Sequence, residues 1–130
     1  MLSLTQMCQL SGVSRRTLQG YDKLGLLRHR GATPGGYWLY NESDVERLSV
    51  IQLLRCHGFS RRELVEIIPD QDLPLEELLS GIRASLLLRC HRLEMLLSQL
   101  DPARIREIAP LPVSAAEEEE KEEDVDEEAL

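Results

Sequence analysis

The residues of this sequence best placed to do chemistry are two arginines at the start of a helix. Ser14 is an N-cap residue, Arg15 and Arg16 follow it, and the apolar Leu18 and Tyr21 return one and two turns on. The first turn of a helix carries the positive end of its dipole and favours acids, so each arginine costs a few tenths of a kcal/mol, roughly, unless an anion arrives from outside. Phosphate is the anion such a pair fits, although two solvated surface arginines would leave the same trace. A second basic group, Arg28-His29-Arg30, leads into the aromatic run Tyr37-Trp38-Leu39-Tyr40, and Arg61-Arg62 repeat the early-arginine pattern after Ser60.

Other chemistries find no footing. The chain has no phosphate-cradling glycine loop with lysine, no His-Glu-x-x-His, no Cys-x-x-Cys and no Gly-x-Ser-x-Gly, so neither an enzyme nor a cofactor is expected. The tripeptide Arg-Cys-His occurs twice, at 55–57 and 89–91, with Glu94 one turn beyond Cys90 and His91. Adjacent Cys and His on a helix point about 100° apart and rarely share an ion, so no metal site is expected. Three scattered cysteines (Cys8, Cys56, Cys90) make no disulfide framework, and Cys8 reads as a small core residue. With no signal-peptide pattern and no apolar run of membrane-spanning length, the expected place is a reducing cytosol.

The net charge of −8 conceals an asymmetry. Residues 1–68 carry nine Lys and Arg against six Asp and Glu, +3, whereas residues 69–130 carry six against seventeen, −11. Residues 1–40 alone hold five against one. A basic first half with an acidic end suits a nucleic-acid binder that carries a solvating tail.

These residues need elements to hold them. Thr5 is the expected N-cap of a first short helix bearing Met7, Cys8 and Leu10; Ser11-Gly12 ends it and Ser14 opens the second. Two short helices joined by a tight turn form a helix-turn-helix, whose second helix enters a major groove. That second helix runs to about Leu24, stops at Gly25, and contains Gly20, a residue costing about 1 kcal/mol against alanine. A small hairpin of 27–30 against 37–40 is expected beside it, turning at Thr33-Pro34-Gly35-Gly36 in a type II turn. Strand alternation would bury Tyr37 and Leu39 and expose Trp38 and Tyr40. Ser43 or Asn41 caps a third helix with Val45, Leu48, Ile51 and Leu54 on one face. Ser60 and Glu63 form a capping box for a fourth, which faces Leu64, Ile67 and Ile68 inward and stops at Pro69.

From 73 to 100, Leu75, Leu79, Ile82, Leu86, Leu93, Leu96 and Leu100 keep alternating four-three spacing on a helix of roughly 40 Å. So small a domain cannot cover such a helix, which points to a second copy of the chain as partner. A short helix after Pro102 follows, and the acidic stretch beyond Val113 is expected to remain disordered. The expected organisation is a winged helix-turn-helix over 1–69, the dimerisation helix and a short helix over 70–109, and an acidic tail over 110–130.

Thr5 to Ile68 resembles the MerR family of bacterial transcription regulators almost without gaps. The likeness rests on Leu10-Ser11-Gly12-Val13-Ser14 with Arg16-Thr17-Leu18, and on Tyr21-Asp22-Lys23-Leu24-Gly25-Leu26-Leu27. Gly36-Tyr37, Leu39-Tyr40, Asp44, Leu48 and Leu54-Arg55 through Gly58-Phe59-Ser60 follow in the family's order. The resemblance implies a mainly α fold, a winged helix-turn-helix whose subunits dimerise through an antiparallel coiled coil. It also implies a pseudo-palindromic promoter site, distorted so that RNA polymerase can use it. By position, Arg16, Thr17, Tyr21 and Tyr37 are its implied DNA contacts. Arg15, Arg28 and Arg30 join them on charge and location, and Ser14, Gln19 and Trp38 complete the candidate set.

The chain departs from the family's pattern at three positions. Gln19-Gly20-Tyr21 stands where Arg-Tyr-Tyr is usual, and Gly36-Tyr37-Trp38 where the wing usually has Gly-Tyr-Arg. Two missing arginines could weaken DNA binding by a few kcal/mol, roughly. Gln19 can still pair with adenine, so altered specificity is an equal reading. The alternative function is a protein-interaction module with weak or no DNA binding, docking through Trp38 and the leucine helix. No effector is readable.

Overall fold

The computed structural model describes residues 1–108, and the acidic tail expected over 110–130 lies outside them. Local capping chemistry sets most element boundaries. Strand β1 (Leu2–Ser3) runs directly into helix α1 (Leu4–Ser11), and Ser3, not Thr5, is the N-cap. Ser3 and Gln6 form a reciprocal box: Gln6 N donates to Ser3 Oγ at 3.1 Å and Ser3 N donates to Gln6 Oε1 at 2.8 Å. Ser14 caps α2 (Arg15–Leu24) as expected, its Oγ accepting from Thr17 N at 3.1 Å, and Gly25 ends the helix in the left-handed region.

The wing is a three-stranded antiparallel sheet in the order β1-β3-β2, with β2 at Gly31–Ala32 and β3 at Trp38–Tyr40. Leu2 pairs with Tyr40, Gly31 with Leu39 and Ala32 with Trp38. The first wing strand therefore lies later than the 27–30 expected. Leu26 and Leu27 are spent in the core, and the chain pairs only once past them, starting with Arg30 N to Leu39 O at 2.7 Å. The tip is not a type II turn either: the left-handed residue is Gly36 (φ 83°) rather than Gly35, and Gly36 N closes on Thr33 O at 2.8 Å. The expected alternation does not hold; burial instead deepens along the strand. Tyr40 is fully buried, Tyr37 is 66 % exposed, and Trp38 and Leu39 are both half-buried.

Helix α3 (Ser43–Cys56) buries Leu48, Ile51 and Leu54. Neither Ser43 nor Asn41 caps it with its side chain; the carboxylate of Asp44 instead accepts from Asn41 N at 2.8 Å. Helix α4 (Arg61–Ile67) has the expected Ser60–Glu63 box and buries Leu64 and Ile67, with Ile68 behind them. Helix α5 spans Leu75–Leu97, about 35 Å, shorter than the 73–100 expected because Pro74 occupies its N-cap. Leu78 and Ile82 enter the core formed by Met7, Leu18, Leu27, Tyr40, Leu48 and Leu64, and Leu86 packs at its edge. Beyond Leu86 the apolar residues of α5 stand exposed. Asp101 caps α6 (Pro102–Glu107).

Candidate nucleic-acid interface

Leu18 and Tyr21 pack inward, which turns the opposite side of α2 to the outside; Arg15, Arg16, Gln19 and Lys23 are exposed there. Ser14 Oγ donates to Thr17 Oγ1 at 2.8 Å while capping the backbone, so both hydroxyls serve the helix start. Arg15 Nη2 donates to Thr5 Oγ1 at 3.0 Å, tying the two helices together at their outer edge. Tyr21, a DNA contact by resemblance, is instead a core residue only 4 % exposed, because the three-residue step from Leu18 keeps it on the inner face. Its ring carries the guanidinium of Arg61, 5.1 Å from the centroid.

The basic link divides in two. Arg28 forms a surface pair with Asp70 at 3.0 Å, with both side chains more than half exposed. Arg30 keeps about a quarter of its side chain exposed but is tied into the fold from two sides. Its Nε and Nη2 donate to the two oxygens of buried Asp44 at 3.1 and 2.8 Å, and its Nη1 and Nη2 to Asp72 at 2.7 and 2.8 Å. Asp72 first, then Asp44, hold this guanidinium protonated well above its ordinary range, and Arg30 in turn keeps the Asp72 carboxyl below the usual carboxylate range. Arg30 is thus a structural clamp between the wing, α3 and the link before α5.

Sequence reasoning missed two further parts of this clamp. Arg47 donates from Nε to Leu26 O at 2.6 Å, from Nη2 to Pro69 O at 2.8 Å and from Nη1 to Gln71 O at 3.1 Å; burial pulls its guanidinium below its ordinary value. The clamp borders a cleft of about 330 Å³ lined by Leu27, Arg28, Arg47, Asp70 and Asp72. The second part is His29. Asp22, on α2, accepts from His29 N at 2.9 Å and meets its Nδ1 at 2.7 Å, while the imidazole stacks on Trp38 at 4.1 Å and 3°. Trp38 therefore fastens the wing to the end of α2. Tyr37 stands exposed at the wing tip, its N–H donating to Thr33 Oγ1 at 3.1 Å.

The geometry amounts to a helix anchored from behind, carrying cations in front, with a rigid wing at its side. The sequence profile of the MerR HTH family regulatory proteins matches residues 2–71. The chain belongs to that family. A Bacillus subtilis relative, the HTH-type transcriptional activator mta, is 31 % identical over 96 residues, which is 74 % of this chain and 37 % of that protein. A probable heavy metal-dependent transcriptional regulator of Haemophilus influenzae is 33 % identical over 73 residues, 56 % of this chain and 57 % of that one. The chain thus spans less than two thirds of the length of either. The crystal structure of MtaN, the N-terminus of the Bacillus subtilis multidrug transporter activator, aligns at a TM-score of 0.51 and 29 % identity, covering 79 % of this chain and 97 % of that one. The MerR-family part takes in the whole helix-turn-helix, the wing and the link with Asp70.

Proposed function

We propose that this protein is a homodimeric, sequence-specific DNA-binding transcription regulator. Helix α2 enters a major groove, and the wing lies on the adjoining backbone. The observation that carries this reading is the outward face of α2: Arg16 and Gln19 stand exposed on a helix fixed behind by Leu18 and Tyr21, in a segment bearing five cations and one acid. Arg16 supplies charge for phosphate or a guanine edge, and Gln19 has the donor and acceptor that adenine needs. The exposed α5 leucines support a second copy as partner, and a dimer suits a pseudo-palindromic promoter site. Distortion of that site for RNA polymerase is part of the proposal and comes from the family. Among the described residues no three His, Cys, Asp or Glu side chains gather in one place.

Selection of preferred duplexes from a random pool tests the reading. The expected result is an enriched, near-symmetric sequence whose binding weakens with salt; Arg16→Ala lowers affinity for it by about 1.5–3 kcal/mol. Equal, negligible affinity for all duplexes would sink the proposal. The competing module that docks other proteins keeps the exposed leucine helix but loses one support, since Trp38 is half-buried against His29.

A further inference from the structure

The charges of this chain are divided unevenly between its folded part and its end. Residues 1–108 carry fourteen Lys and Arg against thirteen Asp and Glu, +1, whereas residues 109–130 carry one against ten, −9. The family profile stops at residue 71, so the acidic segment is no part of what the family match conveys. Acids around the wing are committed to neighbours: Asp22 to His29, Asp44 and Asp72 to Arg30, and Asp70 to Arg28. Asp22 is also the one acid of α2, whose exposed residues are Arg15, Arg16, Gln19, Lys23 and Leu24. A face built to take a row of phosphates also suits a row of carboxylates.

The segment is long enough to reach that face. Ile108, at the end of α6, lies beyond the distal end of α5, a helix of about 35 Å whose proximal turns pack on the core. Extended chain advances at most about 3.3–3.6 Å per residue, which puts Glu117 within roughly 30 Å of Ile108 and Glu128 within roughly 70 Å. The acids thus bracket the length of the helix they must retrace. We propose that the acidic segment, residues 117–128, docks on the outward face of α2 and competes there with DNA phosphate. This autoinhibitory contact rests on the DNA-binding reading above and adds regulation of the same face. A tethered competitor acts at an effective concentration in the millimolar range, roughly, so individually weak charge pairs suffice to occupy the face while DNA is scarce. Simple competition lowers affinity for every duplex by one factor and leaves the preference among sequences intact. The grip of the segment, like that of DNA, falls with salt.

The test compares the full chain with a full-length variant in which Glu117, Glu118, Glu119, Glu120, Glu122 and Glu123 are all changed to Gln, which keeps length and removes charge. Amide NMR spectra of both proteins without DNA are recorded at roughly 50 and 200 mM salt. Docking predicts that parent and variant differ in shift over Arg15–Lys23 at low salt, and that the difference shrinks at high salt. Identical shifts there, or differences confined to another surface, would overturn the inference. Both proteins are then titrated with the selected duplex and a random-sequence duplex of the same length. The variant should bind both roughly five- to tenfold more tightly at low salt, by the same factor, with the advantage fading at high salt. Tighter binding without any change at α2 would mean general repulsion between segment and DNA, and would overturn the docking. If neither protein binds any duplex, the functional reading and the competition fall together; if both bind alike, this inference alone falls.

Discussion

Arg28 and Arg30 stand two residues apart with the same charge, yet their surroundings give them different work. Arg30 meets a carboxylate 2 % exposed and makes four hydrogen bonds to two acids, whereas Arg28 makes a solvated pair with Asp70. Removing one partner of a buried pair leaves an uncompensated charge behind. Arg30→Ala should therefore lower unfolding stability by about 3–5 kcal/mol, and Arg28→Ala by about 1 kcal/mol or less; urea denaturation of both variants measures the contrast. Tyr40 makes the opposite case. Its hydroxyl is buried with no hydrogen-bond partner, and burial, helped by Asp22, pushes its pKa up to about 12. Tyr40→Phe removes a polar atom that forfeited its water and gained nothing in exchange. We expect it to leave stability unchanged or raise it by about 1 kcal/mol in the same measurement.

At the scale of elements, α5 is held to its own domain by apolar packing and by Arg89. Arg89 donates from Nη1 to Glu63 at 2.7 Å and from Nη2 to Glu66 at 3.4 Å, with its guanidinium 5.9 Å from the Phe59 ring centre. Burial works against the Glu63 charge, but the Ser60 N–H and Arg89 outweigh it and hold the carboxyl below its ordinary value of 4.5. A carboxyl depressed in the folded state binds fewer protons there than in the unfolded chain, so stability rises with pH across that interval. Glu63, and Asp72 on Arg30, should both contribute above their ordinary values of 4.5 and 3.8 and lose that contribution as the pH falls below them. Denaturation midpoints at pH 6 and pH 3 should differ less in Arg89→Ala than in the parent, since the variant has already lost part of what acid removes. How much of this was legible follows from the range of each interaction. The Ser14 and Ser60 caps, the Gly25 stop and the α3 face are set within four residues and could be read directly. The burial along β3, the late start of β2 and the burial of Tyr21 depend on which face meets the core, and period alone does not specify it. The clamp joins residues 14 to 42 positions apart, Arg30 to Asp44 and Asp72 and Arg47 to Leu26 and Pro69, and a lone arginine in a basic link carries no mark of such partners.

At the scale of the molecule, the seam leucines divide into two groups. Ile82 is buried and Leu86 half-buried within the chain's own core, and Leu75 is half-buried, so these residues are already engaged. Leu79 is 40 % exposed, while Leu93 and Leu96 on the distal part of α5, beside Leu97 and Met95, and Leu100 just beyond its end are each more than half exposed. An apolar face of that kind needs a cover, and a second α5 offers one of matching character. The proposed dimer thus uses the distal turns, while the proximal turns fix each helix-turn-helix to the seam. This division makes a clean experiment possible. Replacing Leu93 and Leu96 together by Lys should convert the protein to a monomer in sedimentation while changing its unfolding midpoint at low concentration little, because both side chains are more than half exposed in the single chain. Two recognition helices that read half-sites about 34 Å apart bind as one unit only while the seam holds them. The monomer should therefore bind a two-half-site duplex no more tightly than a single half-site, at least 100-fold weaker than the parent, roughly. A double variant that sediments as a dimer would place the subunit contact elsewhere, and the partition of α5 into an engaged proximal part and an associating distal part would then fail.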